Sequence, residues 1–162
     1  MFVKVFSAEY LNNLCADAQR SPRKRQHQNI HESYEDPCQR LFNAIEPESY
    51  IRPHKHSTDP GDELLIAVRG SMALVIFDEQ GIVIDIVRFG AGRDSEGLSV
   101  GAEVACNTWH TVIALVPGCV LLEVKSGPFD PNRPKDLAPW APDESAVDAS
   151  DYLNKLREGV AG

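Results

Sequence analysis

The chain has 162 residues, of which 43% are hydrophobic, with a net charge of −8 and a pI near 5.0. This length suits one domain with a substantial core, and the acidic balance excludes broad nucleic-acid binding. No apolar run reaches the roughly 18 residues of a membrane-spanning helix, and the N-terminus "MFVKVFSAEYLNN" lacks the apolar stretch of a signal peptide. We therefore expect a cytoplasmic protein with neither nucleic-acid nor membrane partners.

The cysteines Cys15, Cys38, Cys106 and Cys119 are scattered and form no CxxC pair. In a reducing compartment such residues are free thiols that mostly behave as small hydrophobes. The sequence therefore predicts four free and mostly buried cysteines.

Residues 7–19 are predicted to form a short helix. Ser7 is a suitable N-cap, and Leu11, Leu14 and Ala18 recur at helical spacing.

A polar and basic segment, "RSPRKRQHQNIHESYEDP", follows this helix. It shows no periodicity and is predicted to be an arm or loop. If it forms one helical turn, His27 and His31 share a face. Two interpretations stay open: the arm folds over the functional site and supplies Arg23, Arg25 and His27 as contacts for an anionic substrate, or it is a solvated surface.

From residue 39 the chain becomes a series of short runs rich in Val, Ile and Leu, separated by turn residues such as "DPGD" and "DEQG". About eight strands at this spacing predict an all-β sandwich or barrel. The runs are "QRLFNAIEP", "YIRPHKH", "ELLIAVRG", "SMALVIFDEQG", "IVIDIVRFG", "LSVGAEVA", "WHTVIALVPG" and "CVLLEVKSG".

A proline-rich stretch follows Gly127, and "DASDYLNKLREGV" predicts a final helix. We therefore divide the chain into an N-terminal helix and basic arm (1–37), a barrel (38–127) and a C-terminal extension with a helix (128–162). Together these parts are expected to form one structural domain.

Two histidines in "RPHKHSTDPGDE" suggest a metal site. His54 and His56 are two apart and face the same side of a strand, and Glu63 opens the next strand, in competition with the loop carboxylates Asp59 and Asp62. His110 opens a later strand after a tight turn. Three imidazoles and one carboxylate suit a divalent transition metal (Fe, Mn, Ni, Co or Zn) and leave positions open for water or substrate.

These residues resemble the two sequence motifs of the cupins. The first motif, HxH followed by Glu, six residues and Gly, is matched by His54, His56, Glu63 and Gly70, although the gap before the Glu is longer than usual. In the second motif Asn107 stands in the place of a turn Gly, which is reasonable because Asn tolerates the left-handed conformation. The resemblance implies a cupin fold, a double-stranded β-helix or jelly-roll-like barrel, with short terminal helices.

The stretches "DPCQRLFNAIEPESYIRPHKH", "TWHTVIAL" and "EVKSGPFDP" further resemble the WbuC-type cupin metalloproteins over roughly residues 21–142. Such proteins are often encoded beside genes for surface polysaccharide (O-antigen) synthesis. The resemblance implies a metal but no particular reaction.

The function predicted from the sequence is a metal-dependent enzyme acting on a small anionic, sugar-related metabolite, with His31 or Tyr50 as a proton shuttle. Two alternatives stay open: a metal-independent cupin epimerase or isomerase with a His base and a Tyr acid, and a non-catalytic module that binds or senses a small molecule. The apolar outer faces of the strands also predict a homodimer.

Overall fold

The computed structural model describes residues 2–58, 61–133 and 135–161, apart from the side chain of Asp94. Within these ranges, two helices flank a series of nine strands, and a single 3-10 turn covers Arg93–Ser95. In chain order the elements are α1 (Ala8–Arg20), β1 (Arg25–Asn29), β2 (Cys38–Ile45), β3 (His54–Lys55), β4 (Glu63–Phe77), β5 (Val83–Ala91), β6 (Gly101–Val104), β7 (Trp109–Ala114), β8 (Cys119–Ser126), β9 (Asp136–Leu137) and α2 (Ala149–Ala161).

The strands pair antiparallel in two sheets that share β4. The first sheet contains β1, β2, β8, the N-terminal half of β4, and β6. The second contains β9, β3, β7, the C-terminal half of β4, and β5. The inward side chains of both sheets form one core that includes Leu65, Met72, Phe89 and Leu121. The predicted fold class, an all-β cupin barrel with short terminal helices, is confirmed.

The long strand β4 carries the chain from one sheet to the other. The runs "ELLIAVRG" and "SMALVIFDEQG" are predicted as two separate strands, and this is wrong, because β4 runs without interruption through both. Its pairing with β8 shifts register between Ala67 and Arg69, and Gly70 has φ = +75°. A Cβ on Gly70 would lie 2.6 Å from the Sγ of Cys119, so both the conformation and the space demand glycine here.

The two predicted helices are confirmed, and each covers the outer face of one sheet. At the start of α1, the Oγ of Ser7 accepts a hydrogen bond from the backbone N–H of Tyr10 at 3.1 Å, as expected of an N-cap. The buried face of α1 packs against Phe42 of β2 and Val120 of β8. On the second sheet, α2 buries Leu153 among outward side chains of β4 and β7.

Both regions outside residues 38–127 contribute strands to the barrel. The segment predicted as an arm or loop contains β1, which pairs with β2 so that His27 lies opposite Asn43. The C-terminal extension contains β9, which pairs with β3. The residues of β1, "RQHQN", are polar on both faces, so β1 lacks the apolar alternation by which strands are predicted.

Two of the four free cysteines, Cys38 and Cys106, are exposed, so the expectation of mostly buried thiols holds only for Cys15 and Cys119. No helix among the described residues has the length and apolar character needed to cross a membrane.

Candidate metal centre

Three histidines meet inside the barrel. The pairing of β3 with β7 places His54 directly opposite His110, and His56 follows β3 with its side chain on the same side as that of His54. One ring nitrogen from each of the three histidines lies within 4.8 Å of the others. Three imidazoles at this separation can hold one metal ion.

Backbone carbonyls fix the orientation of two of these rings. The Nδ1 of His54 lies 3.0 Å from the carbonyl oxygen of Arg52, and the Nδ1 of His110 lies 2.8 Å from that of Thr108. A carbonyl oxygen only accepts hydrogen bonds, so Nδ1–H is the donor in both rings. In the neutral ring this leaves the lone pair on Nε2, as in histidines that bind metal through Nε2.

Glu63 completes the predicted set of ligands. Its Oε2 lies 3.3 Å from the Nε2 of His110 and 3.6 Å from the Nε2 of His56. Burial raises the pKa of this carboxyl, but His110, His56 and Lys125 outweigh that effect and lower the pKa to about 2. The carboxylate therefore faces the imidazoles in its charged form.

The surroundings of His110 fit a bound cation. An oxygen that accepts hydrogen bonds lies beside each ring nitrogen, namely the carbonyl oxygen of Thr108 at Nδ1 and the Oε2 of Glu63 at Nε2. A neutral imidazole has one N–H and can donate to only one of them. A metal ion held by His110 and Glu63 would occupy the space between the ring and the carboxylate, and the ring would then need no second N–H to satisfy both neighbouring oxygens.

The turn before His110 is hydrogen-bonded to the segment that carries His54 and His56. Asn107 has φ = 64°, which confirms that it takes the left-handed conformation expected of a turn glycine. Its N–H donates to the carbonyl oxygen of His56 at 3.2 Å. Asp62, a competitor of Glu63, instead accepts a hydrogen bond from the N–H of Cys106 at 3.0 Å. The other competitor, Asp59, lies outside the described residues.

The cluster lines a cavity of about 430 Å³. Alternate residues of β1 and its flanks form one side of this cavity, namely Arg23, Arg25, His27, Asn29 and His31. Their shared face follows from the two-residue period of a strand. The suggestion that His27 and His31 share a face of a helical turn is wrong, because the segment is extended.

The two predicted substrate-binding arginines are bound to Glu144. The guanidinium of Arg25 contacts the carboxylate of Glu144 and donates to the backbone oxygen of Tyr50 at 2.9 Å. Arg23 approaches the same carboxylate at 2.9 Å. Burial raises the pKa of Glu144, but the two guanidinium groups outweigh burial and lower it. One carboxylate therefore balances one of the two positive charges on this side of the cavity.

The two predicted proton shuttles lie in different places. His31 is buried and lines the cavity. Its Nδ1 lies between the backbone N and O of Arg40, and its Nε2 has no hydrogen-bond partner among the described residues. Tyr50 packs against Tyr152 and donates its hydroxyl to the carbonyl oxygen of Pro142 at 2.9 Å. The structure thus brings His31 to the cavity and places Tyr50 outside it.

Three charged cavity residues were missed in the sequence, namely Glu123, Lys125 and Lys135. Glu123 accepts a hydrogen bond from the side chain of Asn43 at 3.1 Å, and burial together with the charge of Glu63 raises its pKa to about 7. The Nζ of Lys125 lies 3.5 Å from the Nδ1 of His56. Two charged residues at a spacing of two within the apolar run "CVLLEVKS" were the signal that could have identified this polar inner face.

The model of one protein family, described as a domain of unknown function (DUF6016), matches residues 6–89. The chain belongs to this family. No curated protein matches the sequence.

Solved structures share the fold at low sequence identity. KdgF from Halomonas sp. is 16% identical with a TM-score of 0.50, over 69% of this chain and 84% of that protein. Protein SO0799 from Shewanella oneidensis is 11% identical with a TM-score of 0.54, over 68% and 72%. Oxalate decarboxylase from Bacillus subtilis, described with Mn(II) centres, is 20% identical with a TM-score of 0.50, over 70% of this chain but only 27% of that one. At such identities the likeness concerns the fold alone. The chain shares the fold of these structures, and its three histidines can hold a metal ion.

Proposed function

We propose that this protein is a metal-dependent enzyme that holds one divalent transition metal through His54, His56, His110 and Glu63. The observation that carries the proposal is the convergence of three imidazoles and one carboxylate on one wall of a substrate-sized cavity. Mn(II) in a protein of the same fold makes manganese one candidate, beside Fe, Ni, Co and Zn. A metal in this position supplies a Lewis acid or an activated water.

The chain's own residues provide groups for proton transfer. Glu123 lines the same cavity, and its carboxyl is held by Asn43, so it can give or accept a proton at a bound molecule. His31 is a second candidate because its ring lines the cavity. Tyr50 is a weaker candidate, since its hydroxyl is directed to Pro142.

The proposed substrate is a small anionic metabolite related to sugars. A cavity of about 430 Å³ lies in the range of small-molecule sites, and its lining includes the cationic side chains of Arg23, Arg25, Lys125 and Lys135. The resemblance to WbuC-type cupins supports a role in the synthesis of surface polysaccharide, such as O-antigen, in the cytoplasm.

The test combines metal analysis with turnover. Protein purified without a His-tag is analysed for transition metals, loaded with each candidate metal, and incubated with sugar acids, sugar phosphates and nucleotide sugars. The proposal expects about one metal per chain and a new product with one of these classes. Binding without any product indicates a sensing module, whereas a product formed equally by metal-stripped protein indicates a metal-independent epimerase or isomerase.

Assembly as a homodimer is part of the proposal. The helices cover much of both sheets, but Ile82 and Ile84 at and beside the start of β5 stay 62% and 63% exposed. Apolar side chains on an edge strand favour contact with a second copy. Sedimentation at tens of micromolar tests this, and a single monomeric species would contradict it.

We also propose that residues 1–37, 38–127 and 128–162 fold as one unit, since β1 and β9 belong to the sheets of the barrel.

A further inference from the structure

Lys135 enters the cavity from the C-terminal segment. It directly precedes β9, whose Leu137 lies opposite His54 in the pairing with β3. The pairing of β9 with β3 holds Lys135 beside the strand that carries His54, and Lys135 is one of the residues that line the cavity.

The ammonium group of Lys135 has no anionic partner in contact. Among the described residues, its side chain makes no hydrogen bond or salt bridge. The other cations of the cavity differ in this respect, because Arg23 and Arg25 bind Glu144 and Lys125 contacts His56. Burial lowers the pKa of Lys135, as does Arg25, and Glu123 and Glu144 offset this only in part.

A half-buried cation that makes no ion pair favours a ligand that brings an anion. The number of charges indicates which anion. One ammonium group without an ion-pair partner is available for it, and Glu123 nearby, whose raised pKa of about 7 leaves it partly charged at neutral pH, opposes a second negative charge. A monoanion therefore fits better than a phosphate dianion.

We infer that Lys135 binds the carboxylate of the substrate and so determines its class, a small hydroxy- or oxo-carboxylate such as a sugar acid. This inference rests on the proposed function, since a second group of the same molecule would face the wall formed by His54, His56 and His110. Lys135 is then a specificity-determining residue. Arg23 and Arg25 do not contact the substrate in this inference and only hold Glu144 in place.

The test measures binding of D-glucuronate, D-gluconate and glycolate by calorimetry, with D-glucose and glucose 6-phosphate for comparison. We expect the carboxylates to bind the native chain more tightly than either comparison compound. Lys135→Gln should weaken carboxylate binding roughly ten- to hundredfold, as expected when a charged hydrogen bond is lost, while leaving metal content unchanged. Lys135→Arg should retain part of the affinity because it keeps the charge.

The control is Arg133→Gln, which removes one charge from the same segment at an exposed position that does not line the cavity. It should leave carboxylate binding unchanged. The inference is overturned if the native chain binds none of the three carboxylates, if it prefers glucose 6-phosphate, or if Lys135→Gln binds them as tightly as the native chain. Metal content is measured on the same samples, so that absence of metal contradicts the proposed function and not the role of Lys135.

A second measurement separates a binding role from a structural one. Without ligand, Lys135→Met should melt at a higher temperature than the native chain, because it removes a half-buried charge that makes no ion pair. Added D-glucuronate should raise the melting temperature of the native chain and leave that of the variant unchanged. A ligand-free variant that melts clearly below the native chain would show that Lys135 supports the fold, and would overturn the inference.

Discussion

The Nε2 of His110 lies 3.3 Å from the Oε2 of Glu63, although β4 and β7 do not pair at Glu63. His110 pairs with Ile76, near the far end of β4, whereas Glu63 pairs with Val104 and Lys125 in the other sheet. The curl of β4 between the two sheets brings the carboxylate and the imidazole together. The proposed metal site therefore depends on closure of the barrel as well as on the candidate ligands themselves.

We expect His54→Ala or His110→Ala to remove most of the bound metal and to lower the melting temperature of the metal-loaded protein. A metal that binds only the folded state stabilises that state, so losing the metal loses the stabilisation. The matched control is His27→Ala, which changes an exposed histidine at the cavity wall. Metal content measured by mass spectrometry decides the outcome, and full occupancy in both ligand variants would contradict the assignment.

Glu63→Gln tests the carboxylate separately. The amide keeps the shape of the side chain but removes the negative charge beside His56 and His110. We expect metal affinity to fall by at least about a hundredfold, because losing a ligand should cost no less than losing an outer partner of a ligand. Glu103→Gln, an exposed change on β6, is the control. Equal metal affinity in the Glu63 variant and the native chain would restrict the site to the three imidazoles.

The bend in β4 is tested by Gly70→Ala. A Cβ at this position meets the Sγ of Cys119 at 2.6 Å, and φ is +75°, so steric overlap adds to backbone strain. We expect a loss of about 3 kcal/mol in the free energy of unfolding. Gly118→Ala is a close control, since its φ is +71° with open space around the added Cβ, and it should cost only about 1 kcal/mol. Chemical denaturation measures both, and equal losses would contradict the steric argument.

Glu144→Gln is expected to destabilise the fold at neutral pH. It leaves the guanidinium of Arg25, whose side chain is 9% exposed, without its carboxylate partner. Because Glu144 itself is partly exposed, we expect a loss of about 2 kcal/mol, below the usual range for a buried pair. Asp143→Asn, which breaks the neighbouring pair with Arg52 at a 61% exposed carboxylate, should change stability by no more than about 0.5 kcal/mol.

The contribution of Glu144 should depend on pH. The carboxyl has a lowered pKa in the folded chain, so the folded state binds its proton less readily than the unfolded state does. The stabilisation is then complete above the unfolded pKa of about 4.3 and is lost as the pH falls through the folded value. The difference in unfolding free energy between the native chain and Glu144→Gln should shrink below about pH 4. A difference that stays constant into acid would show that the charge of Glu144 does not matter.

The helices, the turn residue and the side-chain directions within strands could be predicted from patterns among neighbouring residues. Ser7 and the apolar stripe behind it specify α1, and alternation places His54 and His56 on one face, because capping and side-chain period depend only on neighbouring residues. Asn107 was predicted as the left-handed turn residue for the same reason, and its φ of 64° agrees. The polar strand β1 escaped prediction because no apolar alternation marks it and it forms through its pairing with β2.

The sequence by itself determined the fold class and the four candidate ligands, since the spacing of the motifs and the types of their residues can be recognised without knowing how the strands are arranged. Only the tertiary structure decided which charged residues share the cavity with those ligands. It placed Glu123 and Lys135 inside, directed Tyr50 to Pro142, and paired Arg25 with Glu144. These relationships join segments distant in sequence, and side-chain direction and burial at such places follow from how two curved sheets close on each other.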